Sequence, residues 1–409
     1  MKVAGMRAFL SLVTGSMLFL FSLGAWAQHP VGAEFLANTY TTNPQTNPSL
    51  AVDAAGNFLV VWTASPGANL EVFGQRFSNG GIAGGTEFRI NTYTTLHQRF
   101  PSVAFTPPAG FVVVWESYDQ DGSYLGIFGR RFSTSGAAAG AEFRANSVVT
   151  EDQSFASVAA ASDGRFVVVW QSLDQDGDDW GIFGQRFSSS GAKLGAEFQV
   201  NTYETGDQIR PSVAVEGNGD FVVVWQRGTL PPNTGGLAGV FGQRFSNSGT
   251  KLGTEFQVSN ATSGRGDPAI ASDDSGTFLV VWHGAGDVSG KRFSSSGGVL
   301  GAEFRVNSFT AGSQQAPAIA SDVAGDFIVV WQNGGGVSGQ RLSNGGVPQG
   351  PEFPVNTYTT GSQGAPSVAA QFSGEFVVAW AGAGAGDSYG IFGRIFDDLI
   401  FADGFEVLP

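Results

Sequence analysis

The chain has 409 residues, no cysteine, 60 glycines, 35 phenylalanines and a formal net charge of −14. So acidic a balance excludes nucleic acid as a partner, because phosphate contacts need clustered Lys and Arg, and the missing cysteine excludes disulfides and thiol catalysis. A hydrophobic share of 42% argues for a packed fold rather than a glycine-rich disordered one.

Residues 1–27 read as a signal peptide. Lys2 and Arg7 precede an apolar run, and Ala25-Trp26-Ala27 closes it with a small-x-small cleavage pattern. The expectation is a mature chain from Gln28 that is secreted, periplasmic or at the cell surface, with no membrane span once the leader is cleaved.

From there one unit repeats seven times. A run of Phe and Val ends at Trp62, Trp115, Trp170, Trp225, Trp282, Trp331 and Trp380. Each Trp is followed by a turn-rich segment and a version of F-G-Q-R-F, as at residues 73–77 and 183–187. A Ser/Gly turn leads to a Glu-Phe strand such as Glu197-Phe198-Gln199-Val200-Asn201, and a loop leads to Pro-Ser-Val-Ala, as at residues 211–214. Four short strands in roughly 50 residues is the size of a propeller blade. The Phe-Val runs are apolar on both faces, as a strand buried between two neighbouring sheets must be. The expected fold is all-β, a seven-bladed β-propeller of four-stranded blades over residues 28–396, with Pro-Ser-Val-Ala as strand A, the Trp run as B, F-G-Q-R-F as C and Glu-Phe as D.

The two ends of the chain complement each other. The seventh unit stops after its C strand, while an isolated Glu34-Phe35 precedes the first unit. The N-terminal strand is therefore expected to complete the last blade and close the ring, which removes the open sheet edge. The A–B hairpin, as at residues 211–225, resembles that of Tol-pathway-type propellers. That resemblance implies the fold and the phase of the repeat, and no activity. The tail, residues 397–409, contains Ile400-Phe401-Ala402-Asp403-Gly404-Phe405-Glu406 and resembles a short ending of exported bacterial proteins. The chain is expected to be a monomer.

Residues that recur in every unit are expected to pack rather than react. The repeated Trp fills the space between blades, and the Arg of F-G-Q-R-F is expected to stack on it or pair with the Glu of Glu-Phe. The repeated arginines leave no separate trio of the kind that sialidase chemistry requires. His97 and His283 lie off the repeat and read as surface or packing residues. Arg265-Gly266-Asp267 matches an integrin-recognised tripeptide, and three common residues meet often by chance.

Loops that depart from the template are where a repeat scaffold carries function. Units two, three and four have long B–C loops, which share one face of a propeller with the D–A loops. Tyr118 and Tyr124 stand on the unit-two loop, Trp180 on the unit-three loop, and Tyr93 and Tyr203 on D–A loops. No packing rule requires Trp180. It reads either as a contact for a sugar ring or protein partner, or as a side chain folded over the next loop. Asp174, Asp176 and Asp178 alternate around Gly177, with Asp119 and Asp121 as the unit-two counterpart. Alternating oxygen ligands suit calcium, although the missing closing Glu leaves a plain solvated turn as the other reading. Three functions fit: a binding or display module for a glycan or surface protein, a carboxylate- or calcium-dependent glycosidase or lyase, and a structural envelope component.

Thermal melting in EDTA and in millimolar CaCl₂ separates the two readings of the acidic turns. Calcium held there raises the melting temperature by a few degrees, and Asp176→Asn abolishes most of the rise; equal melting in both buffers removes the metal.

Overall fold

In a computed structural model, residues 28–108, 110–228, 238–260, 265–371 and 374–397 are described, and within them every regular element is a β-strand. The strands form seven four-stranded antiparallel sheets, each running A-B-C-D outward from the axis. The expected signal peptide, residues 1–27, and almost all of the tail lie outside the described residues. Among the described residues no helix is long and apolar enough to cross a membrane.

The Trp runs make the core because Val, Phe and Trp favour a pleated strand and both of its faces find apolar partners. The B strand of the third blade, Phe166–Leu173, is buried over its first seven residues. Every repeated Trp is fully buried. Each packs against the preceding blade: Trp115 meets Leu59, Val61 and Val72, and Trp62 meets Val377 and Ala379 of the last blade. The second of these contacts shows that the ring is closed.

Closure runs through the N-terminal strand, as expected. Pro30–Leu36 pairs antiparallel with Asp387–Phe396, as the fourth strand of the seventh blade. Phe35 then tilts onto the stacked Phe58 and Phe77 of the first blade, with ring centroids 6.0 and 4.9 Å away. Phe143 does the same from the second blade onto Phe166 and Phe187 of the third, at 6.1 and 5.1 Å. The first strand of the chain therefore supplies the same wedge that every other blade supplies with its own D strand.

The polar repeats do not pair as expected. The glutamate of Glu-Phe accepts the backbone N–H of the loop entering its own blade, as Glu87 does from Thr39 at 2.6 Å and Glu255 from Thr202 at 2.9 Å. In blades one, two, three and five the arginine of strand C reaches sideways to the next blade and donates to a turn carbonyl, as Arg76 does to Ser135 at 2.8 Å and Arg186 to Asn247 at 2.9 Å, whereas Arg341 of blade six pairs with Asp322 at 2.7 Å. The glycine that ends this turn, as at Gly136 with φ +81°, is required twice over, since a Cβ would also fall 2.7 Å from the Arg76 side chain.

Deleting residues 28–38 removes the closing strand, Phe35 and the Glu34 clasp together. Calorimetry is expected to show a melting temperature lower by about 5–10 °C; an unchanged value contradicts closure by this strand.

Candidate functional site

Opposite the interface Trp of every blade, strand A carries two residues against one. In the first blade the register passes from Thr46↔Thr63 to Ser49↔Val61, so that Asn47 and Pro48 together face Trp62. The other six blades show the same shift. Proline has no N–H for the ladder and sits in a strand only where pairing is interrupted. The first bulge residue is left-handed throughout, with φ 54° at Asn47, 51° at Phe100, 53° at Phe155, 55° at Arg210, 47° at Asp267, 46° at Ala316 and 48° at Ala365. The third blade has Ala156 where the others have Pro and keeps the same φ at Phe155, so the bulge and not the proline imposes it. Such a conformation costs a non-glycine residue about 1–3 kcal/mol. In blades two, three and four the bulged N–H is capped from the preceding blade: Phe100 donates to Thr63 at 3.1 Å, Phe155 to Glu116 at 2.8 Å and Arg210 to Gln171 at 2.9 Å.

The consequence is a ring of side chains aimed at the axis, which with the residues after them lines a cavity of about 320 Å³ in the channel mouth. The ring is uniform in backbone and unequal in chemistry. Blades six, seven and one contribute Ala316, Ala365 and Asn47, whereas blades two to five contribute Phe100, Phe155, Arg210 and Asp267.

The larger residues form a continuous arc. Arg99 pairs with Glu116 at 3.0 Å and lies over Phe100, 5.3 Å from its centroid. Phe100 and Phe155 are 5.3 Å apart and tilted by 35°. Arg210 covers Phe155 at 5.1 Å and binds Asp267, whose second oxygen is 3.2 Å from His283 Nδ1. Burial pushes the Glu116 carboxyl up, with the Phe155 N–H and Arg99 only partly offsetting it. Burial also raises Asp267, yet the adjacent His283 and Arg210 together outweigh it and hold that carboxyl below the usual range. The two acids of the arc are thus driven in opposite directions.

His283 lines a cleft beside the channel mouth, next to Asp267. His97 does pack a loop, accepting from Leu70 N–H at 3.2 Å. Asp267 lies in strand Arg265–Ser272 with its carboxylate taken by Arg210 and His283, so the tripeptide is not displayed on a loop. Arg99, Arg210 and Arg227 stand outside the repeated arginine set, the first on blade two and the other two on blade four. The sign was present in the sequence: the residue before each strand-A proline varies from Asn to Phe, Arg, Asp and Ala while its surroundings repeat.

The loop residues lie on the face where the arc opens. Tyr118 and Tyr124 are exposed, Trp180 is half-buried, and no aromatic ring stacks on it among the described residues. Tyr93 braces its neighbour by donating to the Asp119 carbonyl at 3.4 Å, and Tyr203 lies under Arg227 at 4.4 Å. The turn acids point to separate partners. Asp176 accepts from Gln199 and Asn201 at 3.1 Å each, Asp178 from Gly206 N–H at 3.3 Å, and Asp121 from Asn146 at 3.2 Å. Asp174 and Asp119 close their turns through backbone N–H bonds of 2.7 Å. The bond from Asp121 or Asp176 to the Asn after strand D recurs as Asp287–Asn307 and Asp387–Asn38, both 2.8 Å, which gives these two acids a place in the blade template. Among the described residues no three acidic or histidine side chains converge as metal ligands.

No protein-family model matches the chain, and no curated protein does. Solved structures are similar in fold. A protein of unknown function from Dyadobacter fermentans is 10% identical with a TM-score of 0.57, covering 90% of this chain and 99% of its own. The polysaccharide lyase Uly1 is 10% identical with a TM-score of 0.57, covering 90% of this chain and 100% of its own. An α-L-arabinanase from Penicillium chrysogenum, complexed with arabinobiose, is 16% identical with a TM-score of 0.53, covering 78% and 99%. At such identities the likeness is one of fold.

Asp267→Asn is expected to lower stability at pH 7 by about 1–2 kcal/mol, the size of a hydrogen bond to a charged group reduced for partial exposure. Because the folded-state value lies below the ordinary 3.8, this contribution is complete above it and fades as pH falls through the folded value. Urea unfolding should show wild type and variant converging in acid; equal stability at pH 7 contradicts the assignment.

Proposed function

We propose that the protein is an exported carbohydrate-binding propeller whose site is the channel mouth. The observation that carries this reading is the arc Arg99–Phe100–Phe155–Arg210–Asp267–His283. Two half-exposed aromatic rings offer faces to the C–H surface of a sugar, and the ion pairs beside them offer directional partners for hydroxyl groups. The small residues opposite leave the room. The Uly1 lyase and the arabinanase, which share the fold, act on carbohydrate by name, and this supports a glycan over a protein ligand. Export rests on the leader at residues 1–27, outside the described residues.

Trp180, Tyr118 and Tyr124 are assigned as outer contacts for a longer glycan, with Tyr93 and Tyr203 supporting the loops that carry them. A catalytic reading draws on the opposed shifts of Glu116 and Asp267, the pattern of an acid and a base in glycoside cleavage. Glu116 has a side-chain exposure of 0% beneath Arg99, which places binding ahead of cleavage.

Glycan-array screening followed by calorimetric titration tests the assignment. The double variant Phe100→Ala/Phe155→Ala is expected to weaken binding about tenfold or more, from two stacking contacts. Trp180→Ala should weaken long oligosaccharides while leaving short ones unchanged. Undiminished binding by the double variant overturns the site, and release of new reducing ends from a bound glycan, abolished in Asp267→Asn, favours catalysis.

A further inference from the structure

A cleft of about 470 Å³ opens between blades four and five beside the channel mouth, walled by Arg210, Gln226, Arg227, Asp267 and His283. Donors dominate it. Its one carboxylate, Asp267, is already engaged by Arg210 and His283.

Arg227 is the unusual residue. It occupies the second position after the interface Trp, where the other blades have Ala64, Ser117, Ser172, Gly284, Asn333 and Gly382. Packing at this position is therefore met by small or uncharged side chains, and an arginine there departs from the template. Its side chain is 5% exposed, pinned between the rings of Tyr203 and Phe241 at 4.4 and 3.8 Å, with one terminal nitrogen on Glu255. Its Nε–H finds no acceptor among the described residues. Arg244, Arg292 and Arg394 of the repeated set carry such an orphan Nε–H as well, but of these four only Arg227 lines the cleft, where a ligand can supply the acceptor. The flat guanidinium, held by two rings and an ion pair, is already oriented before any ligand arrives.

Resting on the carbohydrate reading above, we propose that this cleft is an anion seat, where a carboxylate or sulfate group of an acidic polysaccharide docks on Arg227 Nε–H with Arg210 and Gln226 beside it. The sugar bearing that group projects into the channel mouth toward Phe155. A neutral sugar fills the same space and offers Arg227 only an uncharged hydroxyl acceptor, which makes a weaker bond than a carboxylate or sulfate oxygen.

The full chain is titrated calorimetrically with trigalacturonate, with a sulfated galacto-oligosaccharide and with neutral arabinotriose, each at low and high NaCl. At least one charged ligand is expected to bind tenfold or more tightly than the neutral one, with the advantage shrinking in salt; which of the two does so identifies the anionic group. Arg227→Gln should remove that preference while changing neutral binding less than twofold. Should that substitution unfold the blade, Arg210→Gln, at a half-exposed position, is expected to reduce the preference several-fold. Equal binding of charged and neutral ligands by wild type overturns the anion seat and leaves the carbohydrate reading intact. Binding of none of the three overturns both.

Discussion

In each blade two residues of the innermost strand stand opposite one buried tryptophan, and the first of the two must take a left-handed backbone. The tryptophan fixes this arrangement, because it fills the space between neighbouring blades and cannot shift without opening the ring. The extra residue bends the strand toward the axis, and in blades two to four the amide it turns away is recovered by the side chain after the preceding blade's tryptophan. A strained backbone is thus imposed seven times by packing, independently of which side chain it carries.

That independence is what frees the position for function. The core needs Trp, Val and Phe in every blade, and the clasps need Glu and Arg in nearly every blade. The bulge residue makes no core contact, so it takes Ala in two blades and Phe, Arg or Asp in four others at the same φ. The unequal distribution produces a mouth with one shallow side and one side of rings and ion pairs. Arg227 and His283 add to the same sector from positions just past the tryptophan, where the strand leaves the blade interface and packing no longer dictates the residue.

The blade count, the strand order and the completion of the last blade by Glu34-Phe35 were legible in the sequence, because burial between sheets demands the same apolar pattern each time. The channel-facing position was not. A strand that opens on Pro-Ser-Val-Ala hides the residue before the proline, which reads as loop, and Asp267 was lost inside a familiar tripeptide. His283 follows Trp282 where Thr, Glu, Gln or Ala stands in the other blades, so its place could have been found by aligning the units on the tryptophan. In the acidic turns Asp176 bonds to Asn201, and the differing loop lengths conceal that Asp287 and Asp387 make the same bond in their own blades.

The central claim is that the bulged ring residues hold the ligand, and the crystal structure of the protein grown with the tightest-binding oligosaccharide from the titrations tests it most directly. The account predicts a sugar ring against Phe100 or Phe155, within hydrogen-bonding reach of Arg210 or His283. A glycan seated instead on the face carrying the A–B and C–D turns, with the channel mouth free of it, would contradict the claim.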